Sequence, residues 1–348
     1  MRLLVVNTEK TWRGGERQTL YNIVGFLQQG VQVELLCRKN YPLSEKSRQL
    51  GVKVSEVSST ADFFLWLMLH AVKYDLIHVQ TARAQTFAVL TKWFHRRPII
   101  YTRRVDFVPQ GFFTKIKYRA TDCVVAISTP VKMVLEKAGI HVSSVIYDAV
   151  VPGELNRHRA LEIIVPFIWG HKKVFACVSA LVQHKDPLVM VEAIRMLSSI
   201  RSDFVFLHFG DGVLQNQVQK KIDEYKLNEI YWLMGFVPDV EDVFAAMDVF
   251  CMSSEEEGLG SSVLDAFVYK VPVVSTRAGG LAEVVEGRGL LCAIKDARCL
   301  AECINKILSH PEEYSRTLDS AAEYARTVHS IENTSKQYID LFHDILGR

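Results

Sequence analysis

The segment Ser253-Ser-Glu-Glu-Glu257-Gly258-Leu259-Gly260-Ser-Ser-Val-Leu-Asp265-Ala266 follows an apolar run, Asp248 to Met252, and leads into a helical pattern. Gly258 to Ser262 therefore reads as a turn from a strand into a helix. Backbone N–H groups at a helix start attract anions, because they lack intrahelical acceptors and the macrodipole adds about half a positive charge. Glu257 and Asp265 stand eight residues apart, and the helix from Ser261 can return the second acid to the mouth of the same turn. Two carboxylates beside a phosphate cradle suit a polyhydroxylated ligand, since ionised carboxylates accept hydrogen bonds from hydroxyls. The competing reading makes the three consecutive Glu a solvated loop and Asp265 an ordinary helix acid.

Outward from this segment the chain alternates short β-rich runs with amphipathic stretches. Strands are predicted at Leu3 to Val6, Val31 to Cys37, Val52 to Val57, Leu76 to Val79, Ile99 to Thr102, Val124 to Ile127 and Val145 to Tyr147. Helices are predicted to begin near Gly15, Ala61, Ala82, Phe113 and Pro130. The pattern restarts with strands at Lys172 to Ala180, Phe204 to Phe209, Ile230 to Met234, Val249 to Met252, Val271 to Ser275 and Leu290 to Cys292. Near-continuous apolar strands separated by helices imply parallel sheets covered on both faces. The fold class is α/β: two doubly wound parallel-sheet domains facing across a cleft, with ligands at the carboxyl ends of the strands. The first domain is assigned to 1–160 and the second to 161–330, with an irregular linker within Val150 to His171 containing Pro152, Gly153, Pro166 and Gly170. The end is helical, at Ala297 to Leu308, Pro311 to Val328 and Ile331 to Leu346, with the last helix, 331–348, packing back on the first domain.

The 348 residues carry 49% hydrophobic and 23% charged side chains, which excludes disordered, collagen-like and coiled-coil classes. The densest apolar run, Phe63 to Leu69, is far short of the ~18 residues that a membrane span needs. The opening apolar stretch is too short for a signal peptide, so a cytoplasmic location is expected. Seven cysteines (Cys37, Cys123, Cys177, Cys251, Cys292, Cys299 and Cys303) contain no C-x-x-C and read as reduced core thiols. The net charge of +2 conceals an asymmetry. Residues 1–160 carry 23 Lys and Arg against 12 Asp and Glu, and the remainder carries 18 against 27. A basic front half suits an anionic partner: nucleic acid, phospholipid or a phosphorylated substrate. Nucleic acid is the weakest of these, because the basic residues are spread over several elements and match no recognised reader. The aromatic-basic segments Trp93 to Arg97 and Phe107 to Arg119 fit either a membrane interface or ordinary amphipathic packing. No G-x-G-x-x-G follows the first strand, which excludes a dehydrogenase of that type. No D-x-D is present, and Asp239-Val-Glu-Asp242 reads as an acidic helix start.

Over nearly its whole length the sequence resembles the retaining GT4-type glycosyltransferases of the GT-B fold, also called glycosyltransferase group 1. That family's signature S-x-x-E-G-x-G-x-x-x-L-E-A is matched by the segment ending at Ala266. Its following G-x-P-V-V-x-x-x-x-G-G-x-x-E is matched by Tyr269-Lys-Val-Pro-Val-Val-Ser-Thr-Arg-Ala-Gly279-Gly280-Leu-Ala-Glu283. Trp12-Arg-Gly14-Gly15-Glu-Arg-Gln18 is similar to the family's G-G-x-E-R turn, although paired glycines also serve tight turns with positive φ. Phe209-Gly210-Asp-Gly212 is similar to its G-x-G turn, and Met234-Gly-Phe236-Val237 to the segment lining the nucleobase.

The resemblance implies a metal-independent glycosyltransferase that retains anomeric configuration and uses no cofactor beyond a nucleoside-diphosphate-sugar co-substrate. It implies that Glu257 contacts the transferred sugar, Asp265 the nucleotide ribose and Lys185 the phosphates. Gly14, Gly15, Gly210, Phe236, Val237, Gly258, Leu259 and Gly260 would complete the donor site. Where the family usually has Glu, Arg and a second His, this chain has Asp265, Ala180 and Gln80. Arg103 and Arg104 are candidates for an additional cation, Asp106 for an acceptor-side base and His78 for a strand-end catalytic histidine. Each also has a plainer reading, as surface arginine, turn cap and buried histidine respectively. The implied acceptor is a glycolipid or saccharide of cell-envelope or lipopolysaccharide assembly, with peripheral contact to anionic membrane. A nucleotide-sugar epimerase and a non-catalytic nucleotide-sugar-binding protein remain as alternatives on the same scaffold.

Overall fold

The computed structural model describes residues 1–168 and 172–347. The chain divides into two compact units, Met1–Val151 with Val328–Arg348, and Pro152–Thr327.

In the first unit, seven strands form one parallel sheet: β1 (Arg2–Val6), β2 (Gln32–Arg38), β3 (Lys53–Val57), β4 (Leu76–Val79), β5 (Ile99–Arg103), β6 (Cys123–Ala126) and β7 (Ser144–Val145). Their order is β3-β2-β1-β4-β5-β6-β7. Leu3, Leu4, Val5 and Val6 are fully buried, as a central strand with helices on both faces requires. The helix Ile331–Leu346 returns to this unit, where Phe26 meets Tyr338 and Phe342 edge-on at centroid distances of 5.8 and 5.4 Å. Gly25 permits the approach, because a Cβ there would lie 2.8 Å from that of Ser335.

The second unit holds β8 (Lys173–Val178), β9 (Phe204–Phe209), β10 (Tyr231–Gly235), β11 (Val249–Cys251), β12 (Val273–Thr276) and β13 (Leu290–Cys292), in the order β10-β9-β8-β11-β12-β13. All the strand pairs are parallel. The order reverses at β1/β4 in the first sheet and at β8/β11 in the second, so a crevice is expected beyond the carboxyl ends of those strands.

Three expectations need correction. The units part after Val151 rather than at 160, because part of the predicted linker is the helix Arg157–Ile164, which belongs to the second unit. Asn156 caps it, Arg159 pairs with Asp242 at 2.6 Å, and Ile164 joins the core formed by Val174, Ala176 and Val205. The linker residues Gly170 and His171 lie outside the described residues. The first unit regains the chain at Val328, three residues before the last helix, where the His329 Nδ1–H donates to the Asp148 carbonyl at 2.9 Å and the His329 carbonyl accepts the Val150 amide at 2.8 Å. The cysteines are not all reduced: Cys292 and Cys299 are disulfide-bonded, because the turn after β13 carries the chain straight into the helix Ala297–Ser309 beside it. Cys37, Cys123, Cys177 and Cys251 are buried free thiols, and burial pushes the Cys37 thiol up to about 12.

Candidate functional site

In the second unit the loops after β8 and β11 are bound to each other. The Glu255 and Glu256 amides donate to the His184 carbonyl at 2.9 and 3.2 Å, and the Ser253 hydroxyl donates to the Asp186 carbonyl at 2.8 Å. Between these anchors the Lys185 ammonium forms an ion pair with the Glu257 carboxylate. Both side chains are largely buried, and they come from the helical turn Gln183–Lys185 and from the loop before the helix Ser261–Val268. The structure therefore brings two of the sequence-predicted residues into direct contact.

Gly258, Leu259 and Gly260 complete the turn. Gly260, at φ +97°, opens the helix, while Leu259 is buried. The Gly280 amide donates to the Glu257 carbonyl at 2.7 Å, and a Cβ on Gly280 would stand 2.2 Å from the Gly258 carbonyl oxygen. The second glycine pair thus serves close backbone packing that fixes the Glu257 loop. Asp265 lies on the following helix and is 5% exposed.

Asp186 caps the helix Pro187–Ser198 from a left-handed backbone at φ +42°. Burial, followed by its contact with Glu255, pushes its carboxyl up to about 6. Glu255 also pairs with Lys295 at 3.0 Å. Gly210 donates its amide to the Gly235 carbonyl, and a Cβ there would be 2.0 Å from the Ser179 carbonyl oxygen, so only glycine fits. Beyond Gly235, the Phe236 side chain is exposed, whereas Val237 packs on the core around Val174 and Phe209. Ala180 lies in the loop after β8, with no cationic side chain to offer.

The first unit has a separate polar cluster at the carboxyl ends of β4, β5 and β7. The Arg104 Nε donates to both Asp148 oxygens at 3.1 and 3.2 Å, and its Nη1 donates to Gln80 Oε1 at 2.6 Å. Its Nη2 is buried with no hydrogen-bond partner among the described residues. Burial raises the Asp148 carboxyl, and the neighbouring Arg104 opposes that rise. Asp148 escaped sequence reasoning, although its place just after the last strand of the first sheet is the signal that marks it.

Gly14 and Gly15 open the helix Gly14–Gln28, and a Cβ on Gly15 would meet nothing within 4 Å. Neither glycine has positive φ, so the tight-turn explanation does not hold for this pair. Glu16 accepts the Arg13 amide at 2.7 Å, and burial raises its carboxyl above the usual range.

Arg103 is not an available cation. It donates to the carbonyls of Val105 and Phe107 and to the Tyr118 hydroxyl, holding the loop that carries half-buried Asp106. His78 is corrected more sharply. It is fully buried, its Nε2 bonds the Thr102 hydroxyl at 2.8 Å, and Phe26, Tyr338 and Phe342 surround its ring. Burial and the nearby Arg104 pull its pKa down to about 3. A histidine sealed in the core cannot touch substrate. Lys117 is likewise engaged, donating to the Ala82 carbonyl and the Thr86 hydroxyl. A groove of about 370 Å³ lined by Lys115, Arg119, Asp122 and His141 lies at the amino ends of β6 and β7, the opposite edge of the sheet from Arg104.

Two family models match the chain: "Glycosyl transferases group 1" over residues 164–327 and "Glycosyltransferase Family 4" over residues 12–153. Among curated relatives, the 2-deoxystreptamine glucosyltransferase of Streptomyces kanamyceticus is 27% identical over 163 residues, 45% of this chain and 42% of that protein. The lipopolysaccharide core biosynthesis glycosyltransferase LpsE of Rhizobium meliloti is 28% identical over 162 residues, 46% of each chain. The chain thus spans less than half the length of these relatives. Among solved structures, Anabaena HepE in complex with UDP and glucose superposes with a TM-score of 0.85 at 18% identity, covering 98% of this chain and 99% of that one. The likeness establishes a shared two-domain fold.

Proposed function

The chain belongs to the group 1, family 4 glycosyltransferases, and from that premise we propose that it transfers a sugar from a nucleoside-diphosphate-sugar to an acceptor hydroxyl, with retention and without a catalytic metal. The observation that carries this reading is the contact between Lys185 and Glu257 at the carboxyl edge of the second sheet. Departure of a nucleoside diphosphate builds negative charge, which Lys185 and the amides at the start of the helix Ser261–Val268 are placed to meet. Glu257 then turns from Lys185 to the hydroxyls of the sugar, and Asp265 takes the ribose. Phe236 offers an exposed ring to the base.

The acceptor belongs to the first unit, where one Arg104 guanidinium nitrogen has no hydrogen-bond partner among the described residues. Asp106 is the proposed acceptor-side base. We assign the acceptor to cell-envelope glycolipid or saccharide, in keeping with the relative named for lipopolysaccharide core biosynthesis. The exposed aromatic residues on the basic unit provide peripheral contact with anionic membrane.

The test is a thermal-shift panel of UDP-, GDP-, ADP- and dTDP-sugars, followed by incubation of the stabilising donor with glycolipid and saccharide acceptors. Specific binding stabilises the fold by mass action. The reading requires one base to stabilise the protein and its sugar to appear on an acceptor with the anomeric configuration kept. Donor bound but left intact with every acceptor would make the protein a binder, and a new sugar formed from donor alone would make it an epimerase.

A further inference from the structure

Cys292, at the end of β13, and Cys299 and Cys303, one turn apart on the helix Ala297–Ser309, place their three sulfurs within 4.8 Å of one another. The Cys303 sulfur lies 3.7 Å from that of Cys292 and 3.9 Å from that of Cys299. Zinc–thiolate bonds of about 2.3 Å in a tetrahedron set their sulfurs about 3.8 Å apart, so Cys303 already stands at ligand spacing from both neighbours. Cys292 and Cys299 are joined to each other, and reduction of that bond frees the remaining two ligands.

We propose that the reduced protein binds one thiophilic divalent cation through Cys292, Cys299 and Cys303, as a structural centre whose ligands are separate from the Lys185–Glu257 pair. A dithiol reductant first supplies two electrons and two protons to the Cys292–Cys299 bond, becoming a disulfide itself. The cation then displaces three thiol protons and forms three metal–sulfur bonds, leaving the fourth corner to water. Thiolate is the ligand form, so binding is coupled to proton release. Cys299 and Cys303 are only partly buried, which gives the ion an entry path, while Cys292 forms the buried floor.

Two local features fit this centre. Asp296 caps the helix at the Cys299 amide, 2.9 Å away, which fixes the first turn on which Cys299 sits. The intervening turn carries Lys295, at φ +67°, onto Glu255. Cross-link and cation therefore close the same short loop by different chemistry, and the oxidised form excludes the ion because two of its three ligands are consumed. This inference does not depend on the transferase reading.

The experiment uses the full chain with Cd²⁺ as probe, reduced with a phosphine and compared with protein left oxidised. Equilibrium dialysis and the ultraviolet thiolate-to-cadmium charge-transfer band measure stoichiometry and affinity. Expected are one ion per reduced chain, about three protons released per ion, and at least tenfold weaker binding to the oxidised protein and to Cys303→Ser. Cys123→Ser, in the first unit, should bind as wild type does. Thermal melting without metal shows whether each variant folds, and Cys299→Ser provides an independent loss if Cys303→Ser does not. No stoichiometric ion on the reduced protein, or affinity unchanged in both variants, overturns the proposal.

Discussion

Lys185 and Glu257 are separated by 72 residues, yet their charged groups meet where the loops after β8 and β11 join. The pair has two consequences for ligand binding. It aims the Glu257 side chain, and on the proposed reading a bound diphosphate competes with that side chain for the Lys185 ammonium. Removing either partner should thus give different phenotypes although both belong to one contact.

Glu257→Gln should cut turnover at least ~100-fold while leaving nucleoside-diphosphate binding equal or tighter, because the neutral amide releases Lys185 and alters a contact made to the reacting sugar. Calorimetric titration with the diphosphate beside steady-state turnover separates the two effects. Unchanged turnover would remove Glu257 from the site.

Lys185→Ala should weaken diphosphate binding and turnover together, since charge-assisted donors are lost in ground and transition states alike. Chelator should leave transfer intact in the wild type. Equal diphosphate affinity in variant and wild type, or loss of transfer in EDTA restored by a divalent ion, would contradict the charge assignment.

Arg104→Ala strands the Asp148 carboxylate in a buried site, and breaking such a pair costs about 3–5 kcal/mol. The double variant Arg104→Ala/Asp148→Ala should recover part of that stability in urea titrations without recovering turnover. A double variant with restored turnover would make the pair purely architectural.

Acid stability gives a test of the His78 correction. His78 and His208 are fully buried, with pKa values pulled down to about 3 and about 4. The unfolded chain takes up their protons below about 6.5, whereas the folded chain does not until the lower values. The contribution of these two histidines to stability is therefore complete above about 6.5 and is lost as pH falls toward about 4 for His208 and about 3 for His78. His78→Gln should flatten this slope, at some loss of stability near neutral pH, with turnover per folded molecule unchanged. A fall in turnover without the change in acid slope would restore His78 as a catalytic residue.

The strands were legible because a parallel strand buried on both faces is written as a continuous apolar run. Phe204 to Phe209 is buried at every position, and its apolar run has the same bounds as the strand. What escaped notice lacked such a run. The helix Arg157–Ile164 is flanked by Pro152, Gly153 and Pro166, which mimic a linker, and the helix Pro42–Gln49 is mostly polar. Glu257 and Lys185 could be named from the motif they match, but their mutual contact is a property of how two loops dock. The same limit applies to Asp148 beside Arg104, to Cys303 beside Cys292, and to Lys117, whose charge counts as free in a sequence and is tied down by Ala82 and Thr86 in the fold.

Membrane contact is best tested on the first unit's aromatic surface. Phe112 and Phe113, at the start of the helix Phe112–Arg119, are 75% and 84% exposed, and Trp93 on the helix Ala82–His95 is 81% exposed. Apolar rings supply insertion, while each Lys or Arg near an anionic surface contributes on the order of 1 kcal/mol that salt screens. Lys115 and Arg119 are exposed and suited to that role, whereas Lys117 is held within the unit. Vesicles containing anionic lipid should retain the protein at low ionic strength and release it well below molar salt, and neutral vesicles should retain little. Lys115→Ala/Arg119→Ala should lower retention and its salt dependence, and Phe112→Ser/Phe113→Ser should lower retention at every salt concentration. Neither pair should change diphosphate affinity, because the donor is assigned to the other unit. Wild-type protein that ignores anionic vesicles at all salt concentrations would redirect the basic unit to a soluble phosphorylated acceptor.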